Sequence, residues 1–456
     1  MDSRNELQRK KREERKKRRF RNQMISYMVT AILILAMAAG IVFGADRLLG
    51  GKEENGQNRQ DASQEPSRES LPDGQQEKQD IIDDLLADEE EIAVTPEPTP
   101  EVTEPTPEER LDEIINANIE AMPLEDKVAG LFVVTPESIT GASAVIQAGE
   151  GTRDALARYA VGGLIYFAQN IKSEEQLKEM LANTKQYAKY PVFLAVDEEG
   201  GTVARVASAG IGPIVEPAGD IGATGDTGNA YNAGAAIGGA LADLAFNLDF
   251  APVADLANVE GSIMEGRAYG TDAGTAAGFV AAMVKGLQEQ KVSACLKHFP
   301  GIGSSAQDTH NGMASSDRTE EQFRAEELAV FRAGIDAGAQ VIMVGHMSAP
   351  ALTGDNEPCI FSRRLLTDIL REEMDYDGVI ITDALNMSAV SDYYGADEAA
   401  IMAVLAGCDM LLMPEDFEKA YNGILQAVAD GNISVERIDD SLRRIYRIKY
   451  ADMIAE

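Results

Sequence analysis

Eight short apolar runs, rich in β-branched residues, recur between Val128 and Pro414, and a helix-like amphipathic stretch follows each one. They are VAGLFVV from Val128, VGGLIYF from Val161, PVFLAVD from Pro191, LDFAPVADL from Leu248, VSACLKHF from Val292, AQVIMVGH from Ala339, DGVIITDAL from Asp377 and CDMLLMP from Cys408. Between them lie stretches such as TEEQFRAEELAVFRAGIDAG, whose Phe323, Leu328, Phe331 and Ile335 fall about one helical turn apart. Strands that are apolar throughout, rather than alternately, are buried on both faces, as in a parallel sheet covered by helices. Eight such units predict an α/β chain with a single (β/α)8 TIM barrel over residues 110–456; a doubly wound open sheet is the alternative.

The N-terminal part cannot join that core. Residues 1–22 carry eleven Lys/Arg against four Asp/Glu, and Met24–Ala45 contains no charged residue. That apolar length spans a bilayer as a helix, and the basic flank keeps residues 1–22 cytoplasmic, so residues 23–45 read as a transmembrane anchor. A signal peptide cleaved near Gly44-Ala45 is the other reading. Residues 46–109 hold twenty acidic and five basic residues and end in TPEPTPEVTEPTPEE. With so little to bury, they read as a disordered acidic, Pro-rich linker, extended at its Pro-rich end. The expected arrangement is a single-pass membrane protein with an extracytoplasmic barrel, or a secreted one if the leader is cleaved.

The formal net charge of −35 argues against nucleic acid as a partner, since phosphate binding needs clustered cations in the folded body. Three cysteines, Cys295, Cys359 and Cys408, do not form a disulfide framework and read as buried thiols. Zinc spacings, a P-loop and a dinucleotide fingerprint are all absent, so no metal and no cofactor is expected.

In a TIM barrel the site lies at the C-terminal ends of the strands. Asp197 follows PVFLAV and opens DEEGG; Lys297 and His298 follow VSACL; Gly345 and His346 follow VIMV; Asp383 follows VIIT. The chain has three histidines, and all of them fall in this set or in the Gly301–Gly312 loop, GIGSSAQDTHNG. Asp383 is the leading candidate: a carboxylate after four aliphatic residues needs partners to be buried. It reads as a nucleophile, as a helix N-cap, or as an ion-pair partner of Lys297, which would keep it ionised. Within the glycine-bounded loop, Asp308 can orient the imidazole of His310 for proton transfer; an ordinary turn with an exposed histidine is the plainer reading. His346 reads equally as a structural histidine.

At these residues the sequence resembles glycoside hydrolase family 3, in its β-N-acetylglucosaminidase (beta-hexosaminidase) branch. The resemblance covers about residues 112–450, from PLEDKVAGLFVV to ISVERIDDSLRRIYRIK. It rests on DEEGG…R at Asp197–Arg205, KHFPG at Lys297–Gly301, Asp308-Thr309-His310, and ITDALNM at Ile381–Met387. It implies Asp383 as the nucleophile that forms a covalent glycosyl-enzyme, His310 as general acid/base and Asp308 as its tuning partner. It implies Asp197, Arg205, Arg267, Lys297 and His298 as the positions that hold the terminal sugar. The implied activity is retaining, exo-acting hydrolysis of terminal β-N-acetylglucosamine from peptidoglycan fragments or chitooligosaccharides, without a cofactor, by a monomer. Two positions depart from the family pattern. Ile302 stands where KHFPGHG has its last histidine, and Ala384 stands where an acid usually follows the nucleophile. The resemblance also implies a chain without the second α/β domain of many members. A phosphorylase or a broader β-glycosidase on the same site is one alternative; a cell-wall glycan-binding protein without catalysis is another.

Overall fold

The structure, a computed structural model, describes residues 105–305 and 314–451. The chain divides into two units, Met1–Thr99 and Pro100–Glu456, and all described residues belong to the second. The segments read as cytoplasmic tail and anchor, and nearly all of the linker, lie outside the described residues. Among those described, no helix is long and apolar enough to cross a membrane.

All eight apolar runs contribute strands: β1 Phe132–Val134, β2 Gly163–Ile165, β3 Phe193–Val196, β4 Leu248–Asp249, β5 Ser293–Phe299, β6 Val341–Val344, β7 Val379–Thr382 and β8 Leu411–Leu412. They pair in parallel and in chain order, and β8 returns to β1 through Phe132↔Leu411 and Val133↔Leu412. The Ile381↔Met410 bridge brings β7 against β8 and nearly closes the ring. A doubly wound sheet would reverse its strand order partway. The sequential order with β1 beside β8 therefore excludes it. Every residue of β1, β3, β6 and β7 is buried, as runs without alternation require when helices cover one face and the barrel interior fills the other.

The helices form the outer layer, and their ends are fixed locally. Ser173 caps Glu174–Tyr187 by accepting the Gln176 amide, and Asp272 caps Ala273–Gln288 by accepting that of Thr275. Helix Thr227–Asp243 lies against Ala273–Gln288 at backbone contact: a Cβ on Gly286 would fall 2.3 Å from the Tyr231 carbonyl oxygen. Two expectations need correction. Pro107–Ala121 is helical, so the helix begins inside the segment read as linker. Thr106 and Glu109 form a reciprocal capping box there, with Pro107 at the first helical position. The stretch read as one helix from Thr319 is two, Glu320–Ala325 and Glu327–Asp336, broken at Glu326, whose carboxylate accepts the Ala273 amide.

At the N-terminal pole of the barrel, Asp409 is fully buried between β7 and the C-terminal helix Val435–Lys449. It accepts the Ile380 amide at 2.9 Å and the Ser441 hydroxyl at 2.8 Å. It pairs with Arg371, with Arg444 at 3.3 Å and with Arg437 at 3.7 Å. The three cysteines are buried and free, as read from the sequence. A cavity of about 680 Å³ opens at this same pole, beside Tyr376 and Arg447, away from the C-terminal ends of the strands.

Candidate active site

Five consecutive strands, β3 to β7, carry ionisable residues at or beyond their C-terminal ends, so the ring places these side chains along one arc. The DEEGG motif divides its work residue by residue. Asp197 follows β3 and accepts from Lys297 Nζ at 2.8 Å. Glu198 is buried, and its carboxylate accepts the amides of Val206 at 2.7 Å and Ala207 at 2.9 Å, which seats the short helix Arg205–Ser208 and with it Arg205. Glu199 takes Lys297 Nζ at 2.7 Å and the fork of Arg267, Nε at 2.9 Å and Nη2 at 2.6 Å. Gly200 and Gly201 both have positive φ, and a Cβ on Gly201 would fall 2.9 Å from Pro217 Cα; these positions turn the hairpin back on itself.

The electrostatics of this group are self-consistent. Burial opposes charge on Glu199, yet Lys297 and Arg267 hold its carboxyl down to about 2. Burial likewise opposes charge on Lys297, but Asp197 and Glu199 raise it above the ordinary lysine value, so the ammonium persists. Two carboxylates and two cations thus form a neutral network on one wall of the site. Beneath it, fully buried Asp249 accepts the Glu198 amide, and burial raises its carboxyl well above the ordinary range.

His298 is held separately. Its Nδ1 lies 2.7 Å from Asp255 Oδ2, which also accepts the His298 amide at 3.1 Å, while Asp255 Oδ1 accepts the Ile302 amide at 2.7 Å. An Nδ1–H donated to Asp255 leaves Nε2 for the site. The Lys297–His298 peptide is cis. Ile302 itself is buried in the core. Its departure from the family pattern therefore places an aliphatic side chain among core residues rather than on the site wall.

Asp383 is half-buried at the end of β7. Its amide donates to the Val344 carbonyl of β6, and its carboxylate accepts the Ala384 amide at 2.7 Å. Burial pushes its carboxyl up, but His346, His298, the Ala384 amide and Lys297, in that order, bring it below the ordinary aspartate value. An ion pair with Lys297 was one of the readings open for Asp383. The structure commits Lys297 to Asp197 and Glu199 instead, because its ammonium is drawn to two carboxylates on the β3 side. The N-cap reading also fails: the next helix is Ser388–Ser391, preceded by Met387. His346 is buried, sets Nε2 at 2.8 Å from the Ala384 carbonyl, and is the charge partner that favours the ionised Asp383 most.

The structure therefore gathers Asp197, Lys297, Arg267, His298 and Asp383, with Arg205 at the hairpin's end; the buried Nε of Arg205 has no hydrogen-bond partner among the described residues. Asp308 and His310 lie outside the described residues. Glu199 and Asp255 were not singled out from the sequence. The signal for Glu199 was its place in DEEGG, two residues after Asp197 and so on the same face of an extended chain. Asp255 resembled any acid at a strand end. Among the described residues no group of His, Cys, Asp and Glu side chains could hold a metal ion.

Residues 123–448 match the Glycosyl hydrolase family 3 N terminal domain. A Beta-hexosaminidase of Stenotrophomonas maltophilia (strain K279a) is 35% identical over 287 residues, covering 60% of this chain and 82% of that protein. Beta-hexosaminidase A of Pseudoalteromonas piscicida is 30% identical over 329 residues, covering 64% of this chain and 54% of the relative's length. Among solved structures, a glycoside hydrolase family 3 beta-N-acetylglucosaminidase from Paenibacillus sp. str. FPU-7 superposes with a TM-score of 0.68 at 34% identity, covering 74% of this chain and 64% of that one.

Proposed function

The chain belongs to glycosyl hydrolase family 3, and from that premise we propose that it removes terminal non-reducing β-N-acetylglucosamine by a retaining, exo-acting mechanism, acting on peptidoglycan fragments or chitooligosaccharides. The observation that carries the reading is Asp383: a carboxyl kept ionised at a strand end, across from a built network of Asp197, Glu199, Lys297 and Arg267. The name of the Paenibacillus relative supports the choice of sugar, and that of the Stenotrophomonas relative supports a hexosaminide.

In this mechanism an Asp383 carboxylate oxygen attacks the anomeric carbon as the glycosidic oxygen leaves with a proton from His310. The glycosyl-enzyme ester is then cleaved by water, which gives its proton to His310, and the anomeric configuration is retained. Asp308 orients the imidazole. Asp197, Arg205, Arg267, Lys297 and His298 hold the sugar hydroxyls and acetamido group. No metal or organic cofactor takes part. The domain acts as a monomer outside the cytoplasm, tethered by Met24–Ala45 and the acidic segment that follows.

The deciding experiment is turnover of para-nitrophenyl β-N-acetylglucosaminide by wild type and Asp383→Asn, with and without phosphate. Wild-type turnover independent of phosphate, and a loss of roughly a thousandfold or more in the variant, are expected. A variant that keeps a tenth of the activity removes Asp383 from the mechanism. Turnover that requires phosphate makes the enzyme a phosphorylase. A His310→Ala variant should lose much more on poor leaving groups than on the aryl glycoside.

A further inference from the structure

We infer that Glu199 is a positioning residue for sugar binding: it aims the guanidinium of Arg267 and helps seat Lys297, without itself touching the sugar. The inference deepens the proposed function and rests on it. Its basis is geometric. The Glu199 side chain is 6% exposed, against 24% for Arg267 and 17% for Asp197, so it lies behind the groups that face the opening. Both of its oxygens are committed, Oε2 to Arg267 Nε and Oε1 to Arg267 Nη2 and Lys297 Nζ. Three of its about four lone-pair sites are thus taken by Arg267 and Lys297, and the carboxylate is set back from the opening.

The two cations depend on it unequally. Lys297 is shared between Glu199 and Asp197, so it keeps a counter-ion if Glu199 is lost. The fork of Arg267 is taken up by Glu199 through Nε and Nη2, and such a planar, two-point contact fixes the plane of the guanidinium as well as its distance. Nη1 is the nitrogen this pair does not use, which leaves its donors for another acceptor. Arg267 enters from the segment after β4 and Glu199 from the hairpin after β3, so the pair also locks two separate loops together.

The test is the Glu199→Gln variant, with Glu199→Asp, Arg267→Met and the double variant Glu199→Gln/Arg267→Met, all in the full chain. Steady-state kinetics on para-nitrophenyl β-N-acetylglucosaminide should show KM raised about tenfold or more in Glu199→Gln with kcat changed much less, since uniform binding is what is lost. The double variant should be no worse than Arg267→Met by more than about twofold, because both changes act through one guanidinium. Glu199→Asp keeps the charge but is shorter, and should recover part of the KM. Thermal unfolding of each variant separates this from general damage. A Glu199→Gln protein that unfolds earlier but keeps its KM overturns the inference, as does a kcat collapse at unchanged KM or a double variant showing the full product of the two losses. Wild type without turnover on this glycoside and without calorimetric binding of N-acetylglucosamine overturns the functional reading and this inference together; active wild type with an indifferent Glu199→Gln overturns the inference alone.

Discussion

Replacing Asp255 with asparagine should damage stability and sugar handling at once, by amounts that follow from three contacts. Asp255 is 1% exposed and accepts three N–H donors: the His298 ring and amide on one oxygen, and the Ile302 amide on the other. Asparagine offers one carbonyl oxygen and one NH2 group. With NH2 toward Ile302, a buried amide loses its acceptor; turned the other way, the imidazole and the His298 amide lose theirs. Either orientation forfeits a charge-assisted bond of about 1.5–3 kcal/mol and leaves a buried donor unsatisfied at about 1–3 kcal/mol, so about 2.5–6 kcal/mol in all. At about 2 °C per kcal/mol for a domain this large, the unfolding midpoint should fall by about 5–12 °C. The part of that energy that orients His298 should appear as a loss of about ten- to a hundredfold in kcat/KM, at 1.36 kcal/mol per decade. Calorimetry and steady-state kinetics measure both. Imidazole nitrogen NMR adds a direct readout, since the chain has three histidines and His298 should hold its proton on Nδ1 only when Asp255 can accept it. An Asp255→Asn protein that melts within about 1 °C of wild type, with the His298 signals unmoved, would refute the reasoning.

Removing the His346 ring by His346→Phe should move the acid limb of the kcat/KM profile upward. Asp383 is held below its ordinary value, so the wild-type carboxylate stays ionised as pH falls to that depressed value, and losing its largest charge partner narrows the window; a limb that stays put or moves down contradicts this. The same shift contributes stability at neutral pH that is lost as pH falls through the folded value. At the opposite pole, Asp409→Asn leaves three guanidinium groups without their buried counter-ion and should cost about 3–5 kcal/mol in denaturant unfolding. Its control, Asp377→Asn, removes a carboxylate whose side chain is 71% exposed and should cost less than about 1 kcal/mol. Equal effects at the two positions would mean that burial does not set the cost.

The eight strands were legible because a parallel barrel buries both faces of each strand and so leaves unbroken apolar runs such as VIIT and FLAV. The strand-end acids and bases were legible for the same reason: after such a run, an ionisable residue stands out. What the sequence did not carry was pairing across the ring. Lys297 chooses Asp197 and Glu199 over Asp383, and Asp255 reaches His298, through side chains that meet from different strands. No periodicity along one segment encodes which strand ends lean toward each other. The onset of the first described helix was missed because the Pro-rich composition of TEPTPEE outweighed its Thr106–Glu109 cap.

The strand bearing Asp383 is stitched to β8 both before and after the carboxylate, but not at it. The Met410 amide donates to Ile380 and the Thr382 amide to Met410; next, the Leu412 amide is taken by the Thr382 hydroxyl instead of a carbonyl. Asp383 steps out of the ladder there and turns its amide to β6, and the stitching resumes with Leu385 to Leu412 and Asn386 to Met413. The carboxylate is thus an excursion pinned at both ends. Loops grafted beyond Asn386, whether by drift or by an engineer, can vary in length and chemistry while the height of the carboxylate stays fixed, so the loops and the carboxylate are free to change on separate clocks.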